Sequence, residues 1–223
     1  MAISEVGTAN AGGTGTAISL THNLTIAADD IIVVALHTND TSTQTDNNGA
    51  TPFTDVYGTF LPGNCSNSHI WVRKAGASEP AAYAFTQSDA SASYSIIARV
   101  FRGCHADIWD VAPAAARTAT GTSATATAPD MTITNAGSMG LLGIFVDSSS
   151  VTLSDPTNSY GGEVEIGNRA LATYIRAGLA AGATGTTAAT LSFSDDWAAY
   201  QFALKPAAAG SPYGSSYYYR MNQ

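Results

Sequence analysis

The sequence predicts an all-β protein, built as a two-sheet antiparallel β-sandwich. Three observations support this: short strand-like runs recur along the chain, turn residues separate them, and helical periodicity is nearly absent. Stretches rich in Ala that could look helical are interrupted by Thr, Gly and Ser, as at 118–129 and 180–191. Alternation of Thr with Ala has a period of two residues, and the β-branched Thr favours strands.

These patterns predict a dozen strands, at residues 16–21, 31–38, 54–60, 68–74, 82–86, 93–101, 108–111, 123–128, 139–146, 170–177, 186–193 and 198–205. So many short strands indicate a sandwich or a barrel and exclude an alternating α/β fold. Turn chemistry separates several of them. The sequence DNNG at 46–49 favours positive φ, and LPGN at 61–64 is a Pro-Gly turn.

An internal repeat relates the two halves of the chain. Arg73 precedes Tyr94 by 21 residues, and Arg176 precedes Trp197 by 21 residues. Each of these segments follows a similar apolar element, at 24–36 in the first half and at 131–146 in the second. We therefore expect an internal duplication, in which Arg73 corresponds to Arg176 and Tyr94 to Trp197, with both halves contributing strands to one jelly-roll-like sandwich.

The order of these segments resembles an Ala/Gly/Thr-rich β-sandwich common among structural proteins of tailed bacteriophages and some bacterial surface proteins. The matching segments lie at 26–35, 52–54, 71–75, 94–103, 108–111, 125–129 and 197–206. The resemblance covers about residues 5–206 and consists of many weak segments without one diagnostic motif. It implies the fold more directly than a function, and it divides the chain into a β-sandwich domain, 1–206, and a linker with a C-terminal arm, 207–223.

The composition limits the classes of partner. Ala, Thr, Ser and Gly fill almost half of the chain, and only 12% of its residues are charged. The net charge of −8 has the wrong sign for a nucleic-acid binder. No apolar run approaches the 18 residues that a transmembrane helix needs, so we expect no membrane partner.

The start of the chain, MAISEVGTANAGG, has neither a basic region nor an apolar region of a secretory signal. A charge-poor surface rich in Ser and Thr is nevertheless typical of extracellular proteins. A virion protein that folds in the host cytoplasm satisfies both conditions, as does a chain cut from a longer exported precursor. The two cysteines, Cys65 and Cys104, are interpreted as unpaired thiols, although pairing stays open.

Few residues suggest catalysis or ligand binding. Glu163 and Glu165 lie on one face of a strand at a separation that suits glycoside hydrolysis, but a solvated strand edge explains them as well. The pairs Asp29-Asp30 and Asp195-Asp196 precede strands, where turn capping or a Ca²⁺ site would use them. We expect no enzyme, cofactor or metal. The Trp residues are assigned to the core, and Tyr160 is the best candidate for a sugar-binding ring in a loop.

The segment after Pro206 differs from the rest of the chain. A linker of small residues, 206–212, leads into the sequence YGSSYYYRMNQ, which holds four of the ten tyrosines. Tyrosine is favoured at interfaces because it joins a large ring to a hydroxyl. We expect an assembly arm that adds to the sheet edge of a partner, with interface residues Tyr213, Tyr217, Tyr218, Tyr219 and Arg220.

These observations predict a non-enzymatic virion structural protein, most readily a capsid decoration protein on the head of a tailed phage. Its expected partners are copies of itself, with a trimer favoured, and the major capsid protein or another virion protein. The alternative is a module that binds carbohydrate or a host receptor, in a phage tail fibre or on a bacterial surface, with surface glycans as partners.

Overall fold

The computed structural model describes residues 2–38, 42–57, 65, 67–167 and 170–208. Within them the fold is all-β, and every strand pairing is antiparallel, which confirms the predicted class. Helical conformation in these residues is limited to the single 3₁₀ turn Ala115–Arg117 and to Cys65.

The first half of the chain forms eight strands in two sheets. They are β1 (Ser4–Thr14), β2 (Ala17–Thr21), β3 (Ile31–Thr38), β4 (Gln44–Asp46), β5 (Thr54–Asp55), β6 (Ser68–Lys74), β7 (Ala82–Gln87) and β8 (Ser93–Arg102). One sheet has the order β1-β8-β3-β6-β5 and the other the order β2-β7-β4. The chain therefore alternates between a large and a small sheet through most of this half.

The second half forms β9 (Cys104–Val111), β10 (Thr118–Ala128), β11 (Thr132–Ile133), β12 (Ser138–Val146), β13 (Gly161–Ile166), β14 (Leu171–Leu179), β15 (Gly182–Ala183) and β16 (Thr187–Pro206). Its large sheet has the order β10-β16-β12-β14-β13, with β9 also paired to β16. A small ladder joins β11 and β15, and an isolated bridge joins Leu153 to Leu191.

The large sheets of the two halves have matching order and register. Ile32 on β3 pairs with Arg73 and Val100, and Gly140 on β12 pairs with Arg176 and Ala203. Six residues further along, Thr38 pairs with Tyr94 and Val146 pairs with Trp197. The expected correspondences of Arg73 with Arg176 and of Tyr94 with Trp197 hold in register. Duplication as the origin of this match stays a prediction, as does the jelly-roll description that the alternation of sheets favours.

The layers are more numerous than the two sheets that the sequence predicted. The two large sheets pack face to face around a shared core, which includes Val33, Val72, Phe101, Leu141, Phe145 and Phe202. The outer face of the first large sheet packs under the small sheet, with Ile18, Leu20, Tyr83 and Phe85. The outer face of the second is covered by the far ends of β10 and β16, with Ala126, Ala128, Ala189 and Leu191.

Most predicted strands lie where they were expected, with differences that have physical causes. The segments 186–193 and 198–205 form one strand, β16, because its pairing with β10 continues past a register shift at Ser123/Thr125. Strand β5 is only Thr54–Asp55, and residues 58–60 of that prediction lie outside the described residues. Strand β1 was not predicted, because its sequence SEVGTANAGGT has low strand propensity and it forms by pairing with β8.

Candidate functional site

The pair Asp29-Asp30 is used in the turn before β3. Asp30 is buried, accepts a hydrogen bond from the backbone N–H of Ala27 at 2.8 Å, and forms an ion pair with Arg102 at 2.6 Å. Asp29 has a positive φ of 71° and pairs with Lys74 at 2.8 Å. Both carboxylates therefore have structural partners, as turn capping predicts.

The pair Asp195-Asp196 belongs to the corner at which β16 changes layer. The backbone N–H of Asp196 donates to the Asp195 carboxylate at 2.8 Å, and its own carboxylate accepts a hydrogen bond from the Thr122 hydroxyl. The carbonyl of Asp196 accepts from the N–H of Asp147 at 3.0 Å. Among the described residues, no three His, Cys, Asp or Glu side chains are grouped so that they could hold a metal ion.

Glu163 and Glu165 lie side by side on the edge strand β13, and both are exposed. The buried Tyr174 donates its hydroxyl to Glu163 at 2.8 Å. Desolvation of its carboxyl group, together with the charge of Glu163, raises the pKa of Glu165. Glycoside hydrolysis needs two carboxylates on opposite sides of a sugar, whereas these two share one strand and one of them is engaged by Tyr174.

A serine and a histidine meet inside the molecule. The Ser68 hydroxyl lies 2.8 Å from Nδ1 of His37, and Nε2 of His37 lies 3.1 Å from the carbonyl of Val146. Because a carbonyl only accepts, Nε2 carries the proton and Ser68 donates to Nδ1. Both side chains are fully buried. Through its hydrogen bond to Val146, His37 connects β3 of the first half to β12 of the second.

Arg99 is the most deeply buried cation of the described residues, at 2% exposure. It rises from β8 into the second half, where it donates to the hydroxyl and carbonyl of Thr173 and to the carbonyl of Gly162. Its charge is balanced by Glu5 at 2.6 Å. Because Arg99 belongs to the first half and Thr173 and Gly162 belong to the second, these hydrogen bonds join the two halves.

Tyr160 does not lie in an exposed loop, contrary to the prediction. It is 4% exposed, and its hydroxyl donates to the side-chain carbonyl of Gln201 at 3.2 Å. Burial raises its pKa. The surrounding sequence, NSYGG, is rich in turn residues, but Tyr160 itself packs against the outer face of the second large sheet. The tryptophans agree better with expectation: Trp71 and Trp197 are buried, and Trp109 packs against the shared core.

The two cysteines, Cys65 and Cys104, do not form a disulfide with each other. Cys65 is buried and Cys104 is half-buried. Burial, with a smaller contribution from the charge of Asp30, raises the pKa of the Cys104 thiol to about 12. A thiol with so high a pKa is a poor nucleophile at neutral pH.

Several turns gather at one end of the molecule, which we call the loop end; it comprises the turns at 14–17, 87–93 and 147–153 and the part of β16 at 191–197 that lies opposite the register shift of β10. The buried side-chain amide of Gln87 donates to the carbonyls of Gly15 and Ala92, both at 2.7 Å, and accepts from Ser42. In the second half, Ser192 accepts from the N–H of Thr152 at 3.1 Å. Because the ends of β3 and β12 meet through His37, both sets of turns lie at this end.

The position of Gln87 in the sequence indicates its internal role. In β7 the inward positions are Tyr83, Phe85 and Gln87. A polar side chain that continues a buried face indicates an internal hydrogen-bond network.

The loop end also displays Phe193, which is the exposed large hydrophobic residue of the described part of the chain, at 44%. It lies between Ser192 and Ser194, close in sequence to Asp195. An aromatic ring beside hydroxyl and carboxylate groups is chemically suited to bind a sugar, since the ring can stack on the apolar face of the sugar.

The start and the end of the described chain meet at the opposite end, which we call the terminal end; it comprises Ala2, Gly103, Pro206 and Ala207. Ser4 pairs with Arg102, and the N–H of Ala207 donates to the carbonyl of Gly103 at 2.9 Å. Gly103 has a φ of 85°, and a Cβ at this position would lie 2.7 Å from the carbonyl oxygen of Ala2. The second part of β16 runs from Trp197 at the loop end to Pro206 at the terminal end.

The five predicted interface residues, Tyr213, Tyr217, Tyr218, Tyr219 and Arg220, lie outside the described residues. Their prediction is therefore unchanged, and the structure adds only where the segment that carries them leaves the sandwich, at the terminal end.

No family model, curated protein or solved structure matches this chain. No helix in the described part of the chain has the length and hydropathy of a transmembrane segment.

Proposed function

We propose that this protein is a non-enzymatic structural module of a virus particle, most readily a decoration protein on the head of a tailed phage. The observation that carries the proposal is that the end of the described chain and the turns of both halves lie at opposite ends of the molecule. The chain leaves the sandwich at the terminal end, beside Ala2 and Gly103, while the turns of both halves gather at the loop end. A module attached through its terminal end would present its loop end to the outside.

The interior supports a scaffold role. Buried polar groups that could serve chemistry are engaged in joining the halves, as for Arg99 with Thr173 and His37 with Val146. The charge-poor composition and the resemblance to phage β-sandwich proteins point to the same class. In this proposal the protein is located in the virion, where it docks on the major capsid protein or another virion protein and associates with copies of itself, with a trimer favoured.

The arm, residues 207–223, is the proposed attachment. It follows β16 directly, and a Tyr-rich segment with Arg220 as its single charge is suited to an interface. The test is a chain that ends at Ala208, which keeps the hydrogen bond of Ala207 to Gly103.

The shortened chain is expected to melt within a few degrees of the full chain, because it keeps every strand that forms the apolar clusters of the described residues. It is also expected to be monomeric by light scattering and to fail to bind particles. A shortened chain that assembles as well as the full chain would show that the arm is not an anchor.

The exposed Phe193 favours a second candidate, a module that binds glycans or a host receptor through its loop end. A glycan array with the full chain tests it. Binding that is lost in Phe193→Ala and kept in Thr120→Ala, an exposed residue on β10, would support recognition. Absence of binding to any glycan, with normal occupancy of a particle lattice, would favour the structural role alone.

A further inference from the structure

Strand β1 lies at the edge of the first large sheet in the described part of the chain. In the described part of the chain, β1 pairs with β8 on one side and with no strand on the other. The pairing with β8 runs without a register shift from Gly7 to Thr14, which gives eight regular positions. An open edge offers unpaired backbone N–H and C=O groups to an added strand.

Apart from the register shift at Glu5/Gly7, β1 lacks the features that normally protect an edge. Its sequence, SEVGTANAGGT, contains no Pro and no Lys, and its one charged residue, Glu5, is engaged by Arg99. The corresponding edge strand β10 is also uncharged, but its register shifts at Ser123/Thr125. The regular stretch available for pairing is therefore longer on β1.

The reach of the arm decides which copy can supply the added strand. The linker 207–212 has six residues and spans at most about 22 Å. Strand β1 has eleven residues and is about 37 Å long. The arm leaves beside Ala2, at the beginning of β1, so within one copy it could add to β1 only in the parallel direction.

An antiparallel addition is favoured over a parallel one. All described strand pairs of this protein are antiparallel, and parallel pairing is slightly less stable per residue. Because six linker residues cannot reach Thr14 from the exit beside Ala2, an antiparallel arm that pairs along the whole stretch Gly7–Thr14 has to come from another copy.

The tyrosine side chains of the arm also suit the small residues of β1. Three aromatic rings of the protein already cover a glycine directly across the ladder, in the pairs Gly13/Tyr94, Gly121/Trp197 and Gly143/Tyr200. An added strand with Tyr217, Tyr218 and Tyr219 would place rings over the Ala and Gly residues of β1 in the same manner.

We infer that the segment 213–220 of one copy adds as an antiparallel strand to the open edge of β1 in a second copy. This inference rests on the proposed role of the arm and names its receiving surface. Repetition around a closed ring would give the symmetric oligomer, and a rotation that does not close would give a filament.

Directed disulfide formation tests the pairing. A chain with Asn10→Cys, at an exposed position of β1, is mixed with a separately tagged chain with Ser216→Cys, under mild oxidation. The expected product is a disulfide-linked pair that contains one chain of each kind. The matched control replaces the first chain by Thr120→Cys, exposed on the corresponding strand β10, and should give no such product.

A blocked edge gives a second, independent measurement. Asn10→Lys with Thr14→Lys places charges on exposed positions of β1 and should remove the oligomer while leaving the melting temperature nearly unchanged. Thr120→Lys with Ala124→Lys, on β10, should leave the oligomer intact.

The outcomes separate the two proposals. If the chain that ends at Ala208 still assembles, the arm is not the anchor and the proposed attachment fails. If that chain is monomeric, but the lysine variants of β1 assemble and the cysteine variant of β1 does not cross-link, the arm is the anchor and β1 is not the surface that it binds. A full chain that stays monomeric at high concentration contradicts the inference about β1, although docking on another virion protein would remain open.

Discussion

Arg99 connects the two halves of the molecule through a single side chain. Its guanidinium is 2% exposed and is surrounded by Thr173, Gly162 and Glu5, which come from β14, β13 and β1. The corresponding register position in the second half is Phe202, which belongs to the shared core. One half therefore uses a charge where the other uses an aromatic ring, and the charge has to be matched completely because water is excluded.

Replacement of Arg99 by Met is expected to lower the free energy of unfolding by about 3–5 kcal/mol, because the carbonyls of Thr173 and Gly162 lose their donor inside the protein. Denaturant titration measures this loss. The control, Lys74→Gln, removes a surface ion pair with Asp29 and should cost about 0–1 kcal/mol. An Arg99→Met chain as stable as the parent would contradict the assigned role.

Asp110 is a carboxylate held by many donors at the end of β9. Partial burial opposes its ionisation, but hydrogen bonds from Thr134, Asn135 and Ser138 outweigh burial and lower the pKa of Asp110. A carboxylate whose pKa is lower in the folded state stabilises the protein above its unfolded pKa, and this stabilisation is lost as the pH falls.

Asp110→Asn should therefore destabilise the protein at pH 7, and the difference from the parent should shrink as the pH is lowered from about 4 towards 3. Unfolding free energies over this range provide the measurement. Asp107→Asn, on the same strand, removes only an exposed carboxylate 3.4 Å from Lys205 and should leave a small difference at all pH values. A difference in unfolding free energy between Asp110→Asn and the parent that does not change with pH would contradict the prediction.

At the scale of strands, glycine and aromatic residues are paired across the large sheets. Gly143 on β12 lies directly opposite Tyr200 on β16, and a Cβ at position 143 would overlap the Tyr200 ring. The Tyr200 ring in turn packs on Tyr57, Phe145 and Phe202 in the shared core. The glycine thus allows a large ring to lie flat against its own sheet.

Gly143→Ala is expected to cost about 1–3 kcal/mol through overpacking, as measured by thermal and denaturant unfolding. Gly161→Ala on β13 is the matched control, because a Cβ there meets nothing within 4 Å, and it should change stability by less than about 0.5 kcal/mol. Equal effects of the two substitutions would show that the ring does not depend on Gly143.

At the scale of the whole molecule, the shared core makes the halves interdependent. Each large sheet has one face in this core and the other under a smaller layer. Separation of the halves would expose Val33, Val72 and Phe101 on one side and Leu141, Phe145 and Phe202 on the other. Neither half therefore has a complete set of buried faces.

The chain is expected to unfold in one cooperative transition, and a fragment of residues 2–103 should show no cooperative melting because its inner face would stay exposed. Calorimetry of the full chain and circular dichroism of the fragment test this. Co-expression with the fragment 104–208 serves as the control and should restore a folded complex. Two separate transitions in the full chain would show that the halves are independent domains.

The sequence by itself determined the fold class and the positions of the apolar strands. Strands β3 and β6 were predicted with their observed bounds, because long runs of β-branched and apolar residues are buried on both faces. The equal spacing from Arg73 to Tyr94 and from Arg176 to Trp197 anticipated the common register. Local side-chain chemistry is sufficient for these features.

Tertiary structure alone decided the remaining features. Strand β1 forms because its backbone pairs with β8. Tyr160 is buried because its hydroxyl donates to Gln201 and its ring packs in the outer core of the second half. The burial of Arg99 and the meeting of His37 with Val146 depend on how the two large sheets face each other. Such contacts join residues far apart in the chain, so their energy appears only when the layers pack, and no local pattern in the sequence encodes them.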